Sequence, residues 1–174
     1  MLIREAVLGD AAGIARVHYD TWQTAFRGVV PDEYLQSTSY EKRQSAWESA
    51  LRRPNGTKFV GVAEDETGQI VGFAVGGPER TGDAEYDGEL EAVYILQRHQ
   101  RQGIGRSLVA WTAKKLAQAG MGSLLVWTLA DSPYRQFYEV SGGKQVRETE
   151  RSFGGVMLKV VGYGWSDIQL LADD

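Results

Sequence analysis

The sequence predicts one α/β domain, in which about four helices flank a mixed, mostly antiparallel β-sheet of about seven strands. Short β-rich runs and amphipathic helical stretches alternate in the order β-α-α-β-β-β-α-β-α-β-β. This order contains both hairpins and crossovers, which is why the sheet is expected to be mixed. The 174 residues contain neither a linker nor a repeat. Their length supports a single core, so we expect one domain over residues 1–174.

The first half of the chain predicts a strand, two helices and a hairpin. A short apolar opening, Leu2 to Val7, precedes apolar residues at helical spacing from Ile14 to Ala25. A second helical stretch runs from about Ser39 to Arg53 and stops at Pro54-Asn55-Gly56. A polar loop with a glycine then separates two β-rich runs, which predicts a hairpin. These runs are Lys58 to Ala63 and Gln69 to Val75.

The second half predicts four strands and two helices. One helix follows the Gly103-Ile-Gly105 turn and ends at Gly120 as its C′ residue. The other begins at Ser132-Pro133, with Ser132 as the cap, and runs to about Val140. The packing partner of the segment after Tyr163 stays open. The strands are expected at Leu90 to Ile95, Ser123 to Leu129, Lys144 to Arg151 and Val156 to Val161.

Composition excludes several classes of protein. The absence of cysteine excludes a disulfide scaffold, an iron–sulfur cluster and a thiolate zinc site. The two histidines, His18 and His99, are far apart, and we expect no metal. A formal net charge of -4 has the wrong sign for a protein whose main partner is duplex nucleic acid. No apolar run predicts a membrane span or a secretory signal, so we expect a cytoplasmic location.

The stretch from Glu89 to Val109 carries the chemistry: a strand, a four-residue basic loop, then glycines that open a helix. A helix N-terminus presents unpaired N–H groups and a partial positive charge, and glycines let a phosphate approach the backbone closely. Arg98, Arg101 and Arg106 add positive charge there. The pattern therefore predicts a phosphate-bearing ligand. A dinucleotide fingerprint is disfavoured because Leu108 takes the place of its third glycine, and a P-loop because no Lys-Ser or Lys-Thr follows.

The pattern Gln-x-x-Gly-x-Gly at Gln100 to Gly105, directly after the strand that begins at Glu89, resembles the GNAT superfamily of acyl-CoA-dependent N-acyltransferases. The resemblance covers nearly the whole domain. It includes Ile3-Arg4 with Asp10 opening a helix, the hairpin, and Phe137-Tyr138-Glu139 followed by Gly142-Gly143. It implies acetyl-CoA as the cofactor.

The resemblance also implies a coenzyme A site built mainly from the main chain. The pyrophosphate would lie on the amides of the glycine turn, and the pantetheine arm would pair with the preceding strand, where a bulge usually frees main-chain groups. Members of the family commonly have an asparagine shortly before the Phe-Tyr pair, and here its candidates are Asp131 or Ser132. The residues assigned to the cofactor are Val93, Tyr94, Ile95, Gln100, Arg101, Gln102, Gly103, Ile104, Gly105, Arg106, Ser107 and Ser132.

Three residues are candidates for proton transfer. By its place in the resemblance, Tyr138 is the acid that protonates the coenzyme A thiolate, as a phenol with a pKa of about 10. The resemblance implies Glu89 as the first candidate for the base, because it lies eleven positions before Gln100, the spacing at which histone-acetylating members of the family carry their catalytic glutamate, and Glu91 is the second. The two glutamates share strand parity unless a bulge intervenes, so the choice between them stays open. A water relay is the alternative to either.

The acceptor pocket is expected from the N-terminal helices. Its candidates are aromatic residues around a Gly-Val-Val-Pro turn, joined by Glu89, and aromatic rings can hold an ammonium group by cation–π contact. These candidates are Tyr19, Trp22, Phe26 and Tyr34. Acidic residues at every second position from Asp83 to Glu91 predict an acidic wall, which would attract a small cationic amine or a peptide amino group.

We therefore expect direct acetyl transfer to a primary amine of a small molecule or peptide, because the chain has no cysteine for an acyl-enzyme. One alternative is a non-catalytic module that senses acyl-CoA. Another is a protein-directed enzyme acting on a lysine or an N-terminus, which an open acidic groove would favour over a closed aromatic pocket. A homodimer is expected from the resemblance and from the frequency of twofold dimers.

Overall fold

In the computed structural model, residues 1–52 and 56–172 are described, and their strands form one seven-stranded sheet. The strands are β1 (Leu2–Glu5), β2 (Phe59–Glu64), β3 (Ile70–Pro78), β4 (Gly88–Ile95), β5 (Leu124–Leu129), β6 (Lys144–Phe153) and β7 (Val156–Trp165). The helices are α1 (Ala11–Ala25), α2 (Asp32–Gln36), α3 (Tyr40–Arg52), α4 (Ile104–Gln118), α5 (Gln136–Val140) and α6 (Gln169–Ala172).

The sheet has the order β1-β2-β3-β4-β5-β7-β6. Neighbouring strands are antiparallel except β4 and β5, which are parallel. Helix α4 makes the crossover between this parallel pair, as a parallel connection requires. The predicted mixed, mostly antiparallel sheet of seven strands is confirmed.

Helices cover both faces of the sheet. On β3, the Phe73 ring contacts His18 of α1 and Trp47 of α3, with ring centroids 5.6 and 5.2 Å apart. Gly72, the preceding residue, faces the other side, where a Cβ would lie 3.3 Å from Leu108 of α4. Because successive residues of a strand point to opposite faces, α1 and α3 cover one face and α4 the other.

The described residues contain two short helices more than the four predicted. Helix α2 follows Pro31, at the break where no helix was expected. Helix α6 lies in the segment after Tyr163, and its Leu171, with Ile168, is buried in the main core. This segment therefore packs on its own chain. The predicted helix stop at Pro54 and Asn55 lies outside the described residues.

The predicted start of the helix at Ser132-Pro133 is wrong. Helix α5 begins only at Gln136. The Ser132 hydroxyl accepts a hydrogen bond from the Tyr134 N–H at 3.3 Å and so caps a turn before the helix. Asp10, at the start of α1, likewise makes no cap bond, because its carboxylate binds Arg4 at 2.7 and 2.9 Å.

A second apolar cluster lies beyond the main core, where the end of α1 meets α2 and the sheet. It joins Ala25, Phe26, Val30, Leu35, Leu129 and Val160. Burying each large apolar side chain contributes about 1.5–3 kcal/mol, so this cluster fixes α1 and α2 against β5 and β7. Within the described residues, no helix has the length and apolar character that crossing a membrane requires.

Candidate active site

The main cleft forms where β4 and β5 separate. The two strands pair only as far as Leu90 opposite Val126, although β4 continues to Ile95 and β5 to Leu129. Beyond that point the edge of β4 that faces β5 is free to pair with a ligand. The cleft between the strands has a volume of about 1120 Å³.

A bulge on β4 lies at the start of this separation. Ala92 pairs with Val75 of β3 and Leu90 pairs with Gly76, so Glu91 is an extra residue without a partner. A bulge changes the alternation of side chains between the two faces. The choice between Glu89 and Glu91 as the base depends on this bulge, because it breaks their shared strand parity.

One end of the cleft, here called the donor end, is the turn between β4 and α4. Gly103 stands at the N-cap with φ of 82°, in the left-handed region that favours glycine, and Arg101 also has a positive φ of 59°. The turn is tied to β4 because the Gln100 amide donates a hydrogen bond to the carbonyl oxygen of Ile95 at 3.0 Å. No side chain caps α4. Its first N–H groups therefore suit the phosphates of coenzyme A.

The donor end contains most of the residues predicted to bind the cofactor. Of the residues assigned to the cofactor, those that line the cleft are Val93, Tyr94, Ile95, Gln100, Arg101, Gly103, Gly105, Arg106 and Ser132. Three predicted residues lie outside the lining. Ile104 is 4% exposed and packs into the main core, the amide of Gln102 bonds back to the carbonyl oxygen of Arg98, and Ser107 lies on the first turn of α4.

Tyr138 lies on α5 and lines the middle of the cleft. Its ring stacks on that of Tyr163, with centroids 5.8 Å apart. Its hydroxyl makes no hydrogen bond to any of the described residues. Burial, and to a smaller extent Tyr94, raise the pKa of Tyr138 well above its usual value. The phenol therefore keeps its proton at neutral pH.

Glycine is required just after α5 by a close approach. A Cβ on Gly143 would lie 2.6 Å from the Trp165 ring and 2.8 Å from the Tyr138 carbonyl oxygen. The Trp165 indole donates a hydrogen bond to the Ser141 carbonyl oxygen at 2.9 Å. The predicted Gly-Gly stop thus holds the end of α5, and with it Tyr138, against β7.

Glu89, the first candidate for the base, does not line the cleft. Its residue is 2% exposed, and the Arg80 guanidinium binds both carboxylate oxygens, at 2.7 and 3.0 Å. The main-chain N–H of Arg80 donates a third bond at 3.2 Å. This pairing raises the pKa of Arg80. Glu89 is therefore placed to hold the β3–β4 loop rather than to meet a substrate.

Glu91, the second candidate, does line the cleft. Its Oε2 lies 2.9 Å from Lys58 Nζ and 3.0 Å from Arg80 Nη1. Its Oε1 is buried and has no hydrogen-bond partner among the residues that the structure describes. Glu91 thus keeps one oxygen that can accept a proton.

The expected acidic wall does not form, because the segment before β4 folds as a loop with its carboxylates paired. Arg147 of β6 binds Asp83 at 2.7 and 3.1 Å and also pairs with Glu85. Asp87 accepts hydrogen bonds from Ser123. The predicted alternation would have required an extended chain.

The other end of the cleft, here called the acceptor end, is lined by Trp22, Phe26, Trp127, Arg151 and Phe153. The rings of Trp22 and Phe26 lie 4.7 Å apart, and the Arg151 guanidinium lies 4.8 Å from the centre of the Trp127 ring. The Trp127 indole N–H is buried and has no hydrogen-bond partner within residues 1–52 and 56–172. Aromatic faces and hydrogen-bond donors therefore dominate this end.

Two residues expected in the acceptor pocket lie elsewhere. Tyr34 lies behind the lining, where its ring contacts those of Trp22 and Phe153 at 5.9 and 5.7 Å. Tyr19 lines a separate small pocket together with Arg16 and other residues of α1. Of the predicted aromatic set, only Trp22 and Phe26 reach the cleft.

His18 is held next to this end as a neutral ring. Burial, with a smaller effect of Arg43, lowers its pKa to about 3. Donors face both ring nitrogens, because Arg43 Nη1 lies 2.7 Å from Nε2 and the Trp47 indole N–H donates to Nδ1 at 3.3 Å. The ring stacks on Tyr94 with centroids 5.4 Å apart. His18 thus supports the wall of the cleft.

Arg80, Trp127 and Arg151 escaped the sequence predictions. Trp127 lies on β5 and Arg151 on β6, two strands that β7 separates in the sheet, so only the folded sheet brings the two side chains together. Arg80 falls in a polar loop whose fold the sequence does not reveal. For Arg151, the one indication in the sequence was its place in the alternating pattern of a predicted strand.

Comparisons with known proteins agree with this geometry. The family model of the acetyltransferase (GNAT) family matches residues 16–142. The chain belongs to the acetyltransferase (GNAT) family, which confirms the expected superfamily and the expected N-acyltransferase class of enzyme.

Two curated relatives and one solved structure show the extent of the similarity. The chain is 41% identical over 169 residues to Uncharacterized N-acetyltransferase YuaI of Bacillus subtilis, covering 97% of this chain and 95% of that one. It is 34% identical to Phosphinothricin N-acetyltransferase of Streptomyces viridochromogenes, covering 95% and 83%. The crystal structure of PaiA N-acetyltransferase from Thermoplasma acidophilum in complex with coenzyme A matches with a TM-score of 0.72 at 17% identity, covering 91% and 96%.

Proposed function

We propose that this protein is an acetyl-CoA-dependent N-acetyltransferase that transfers the acetyl group directly to a primary amine of a small molecule. One observation carries the proposal: a single cleft is lined by the glycine turn, by Tyr138 and by the aromatic rings of the acceptor end. Its volume of about 1120 Å³ suits a coenzyme and a small acceptor together. The solved relative in complex with coenzyme A supports the choice of cofactor.

The donor end would hold the cofactor mainly through the main chain. Acetyl-CoA supplies an acetyl group activated as a thioester, whose C–S bond breaks as the amine nitrogen binds the carbonyl carbon. The uncapped N–H groups at the start of α4 and the side chain of Arg101 would bind the phosphates. The free edge of β4 from Val93 to Ile95 would orient the pantetheine arm and donate a hydrogen bond to the thioester oxygen.

Proton transfer is assigned to two side chains that line the cleft. Tyr138 keeps a proton on its hydroxyl that it can donate to the departing thiolate. Glu91, the one acidic side chain among the described residues that line the cleft, is assigned to accept the proton of the attacking amine. Glu89 instead orients Arg80, which binds both glutamates.

A small acceptor is favoured over a protein acceptor by the acceptor end. Phe153, at the tip of the β6–β7 hairpin, packs on Tyr34 and closes this end over the aromatic cluster. The carboxylates that would have attracted a basic peptide are paired within the protein. The 34% identical relative is named for a small-molecule acetyltransferase activity. The cytoplasm and a homodimer remain the expected location and assembly.

The proposal is tested by thiol release from acetyl-CoA in the presence of small primary amines, amino acids and lysine-containing peptides. Release that depends on a small amine, with the acetylated amine identified by mass spectrometry, is expected. Release with peptides alone would show a protein-directed enzyme instead. Binding of acetyl-CoA without release with any amine would show the non-catalytic sensor.

A further inference from the structure

The acceptor end holds a positive charge that no carboxylate of the described residues neutralises. Arg151 is half-buried on β6 and lies over the Trp127 ring. Within residues 1–52 and 56–172 it forms no ion pair. Arg147, four residues earlier on the same face of the strand, shows the contrast, because it is bound by Asp83 and Glu85. Arg151 thus has the Trp127 ring as its contact and no carboxylate among the described residues, so its guanidinium N–H groups can bind an anionic ligand.

Three unsatisfied donors accompany this charge. Among the described residues, the Trp127 and Trp22 indole N–H groups and the Thr21 hydroxyl are buried without a hydrogen-bond partner, and all three residues line the cleft. A buried donor that is left unpaired needs a physical explanation. One explanation is that an oxygen atom of a ligand accepts its hydrogen bond. Indole N–H can only donate, so the group that it meets must be an acceptor. The arginine guanidinium, likewise, can only donate hydrogen bonds.

The carboxylates of the cleft do not offset this bias. Glu91 is the one acidic side chain among the described residues that line the cleft, and Lys58 and Arg80 bind its Oε2. An acceptor with an amine as its sole charged group would meet the positive field of Arg151 without compensation. An acceptor that also bears negative oxygens would be attracted by it.

We propose that the acceptor is an amine that also carries an anionic oxygen group, a carboxylate or a phosphonate, bound by Arg151 and the Trp127 indole N–H. This inference rests on the proposed function, because it assigns the anion to the acceptor rather than to the coenzyme. The apolar rings of Trp22, Phe26 and Phe153 would pack against the chain between the amine and the anion. The substrate class is thus amino-acid-like, with an apolar body.

Matched pairs of amines test this proposal. Leucine, phenylalanine and methionine are compared with their carboxamides, and 2-aminoethylphosphonate with ethanolamine, by kcat/KM in the thiol-release assay. Each acid is expected to exceed its uncharged counterpart by about tenfold to a hundredfold, the range of a charged hydrogen bond. A preference confined to the phosphonate or to the carboxylates identifies which oxyanion the site takes.

Variants assign the preference to residues. Arg151→Met is expected to bring acid and amide to within about threefold of each other while the Kd for coenzyme A stays unchanged. Trp127→Phe keeps an aromatic ring, removes the N–H and should lose part of the preference. Arg147→Met is the matched control, because its guanidinium is already paired, and it should keep the full preference. Loss of the preference in Arg147→Met as well would overturn the assignment to Arg151.

A binding measurement separates failure of this inference from failure of the proposed function. N-acetyl amino acids and N-acetyl carboxamides are titrated calorimetrically in the presence of free coenzyme A. Turnover with no preference for acids overturns only the anion site. Preferential binding of N-acetyl acids that Arg151→Met abolishes, without turnover of any amine, upholds the anion site and overturns the proposed function. Neither turnover nor preferential binding overturns both.

Discussion

Leu90 and Val126 are the last paired residues of two parallel strands that separate immediately beyond them. The bulge at Glu91 coincides with this point. Backbone groups that would otherwise complete the sheet are therefore exposed to the cleft. This arrangement lets an extended ligand arm be held by main-chain hydrogen bonds, with the glycine turn at one end and the aromatic acceptor end at the other.

Gly103 and Gly120 allow the role of the glycine turn to be tested with a matched control. Both have positive φ, 82° and 91°, and neither would bring a Cβ within 4 Å of another atom. Gly103→Ala and Gly120→Ala should each lower the free energy of unfolding by about 1–2 kcal/mol. Only Gly103→Ala should raise the Kd for coenzyme A, by about tenfold, as measured by calorimetry. Equal affinities would show that this turn does not bind the phosphates.

Tyr138→Phe should lower kcat about a hundredfold and leave the KM for acetyl-CoA nearly unchanged, because it removes only the proton that is donated to the thiolate. Tyr163→Phe serves as the control. Tyr163 stacks on Tyr138, but its hydroxyl donates to Glu139 at 2.6 Å. Loss of the Tyr163 hydroxyl should lower the free energy of unfolding and change kcat much less than Tyr138→Phe does. Comparable kcat values for Tyr138→Phe and the wild type would rule out the assigned acid.

Arg80→Met should destabilise the protein by about 2 kcal/mol, because it leaves the Glu89 carboxylate buried without a charged partner and with only the main-chain N–H of residue 80. The effect is smaller than for a fully buried pair, since the Arg80 side chain is 49% exposed. Adding Glu89→Gln to Arg80→Met should recover most of the loss. Urea denaturation of both single variants and the double variant checks this, and additive losses would contradict the pairing.

His18 should make stability fall as the pH drops below its unfolded-state pKa. Its folded-state pKa is about 3, against an ordinary value of 6.5, so between these values the unfolded chain binds a proton that the folded protein does not. The expected loss is about 2 kcal/mol between about pH 7.5 and pH 5. His18→Gln should show a smaller loss in urea denaturation, and the comparison cancels the carboxylates. An identical loss in both proteins would mean that His18 titrates normally when folded.

Local patterns predicted most of the fold and the donor end. The seven strands, α1, α3 and α4 follow from the spacing of apolar residues, and the turn that Gln100 ties to β4 follows from contiguous residues. The short helices α2 and α6 were missed, because five or four residues carry too little periodicity.

The acceptor end depended on long-range packing. Trp127 meets Arg151 across two strand pairings, and Arg147 reaches Asp83 sixty-four positions away in the chain. The acidic alternation before β4 predicted an extended wall, but these tertiary pairings fold it into a loop. The alternation of acidic residues in the sequence does not predict which distant residues will neutralise their charges.

The central claim is direct transfer between two bound substrates, and initial rates over a grid of acetyl-CoA and amine concentrations test it most directly. Because the chain has no cysteine and the Tyr138 hydroxyl is assigned as an acid, the double-reciprocal plots should intersect. Parallel plots, together with an acetylated protein detected by mass spectrometry, would show an acyl-enzyme and contradict the account.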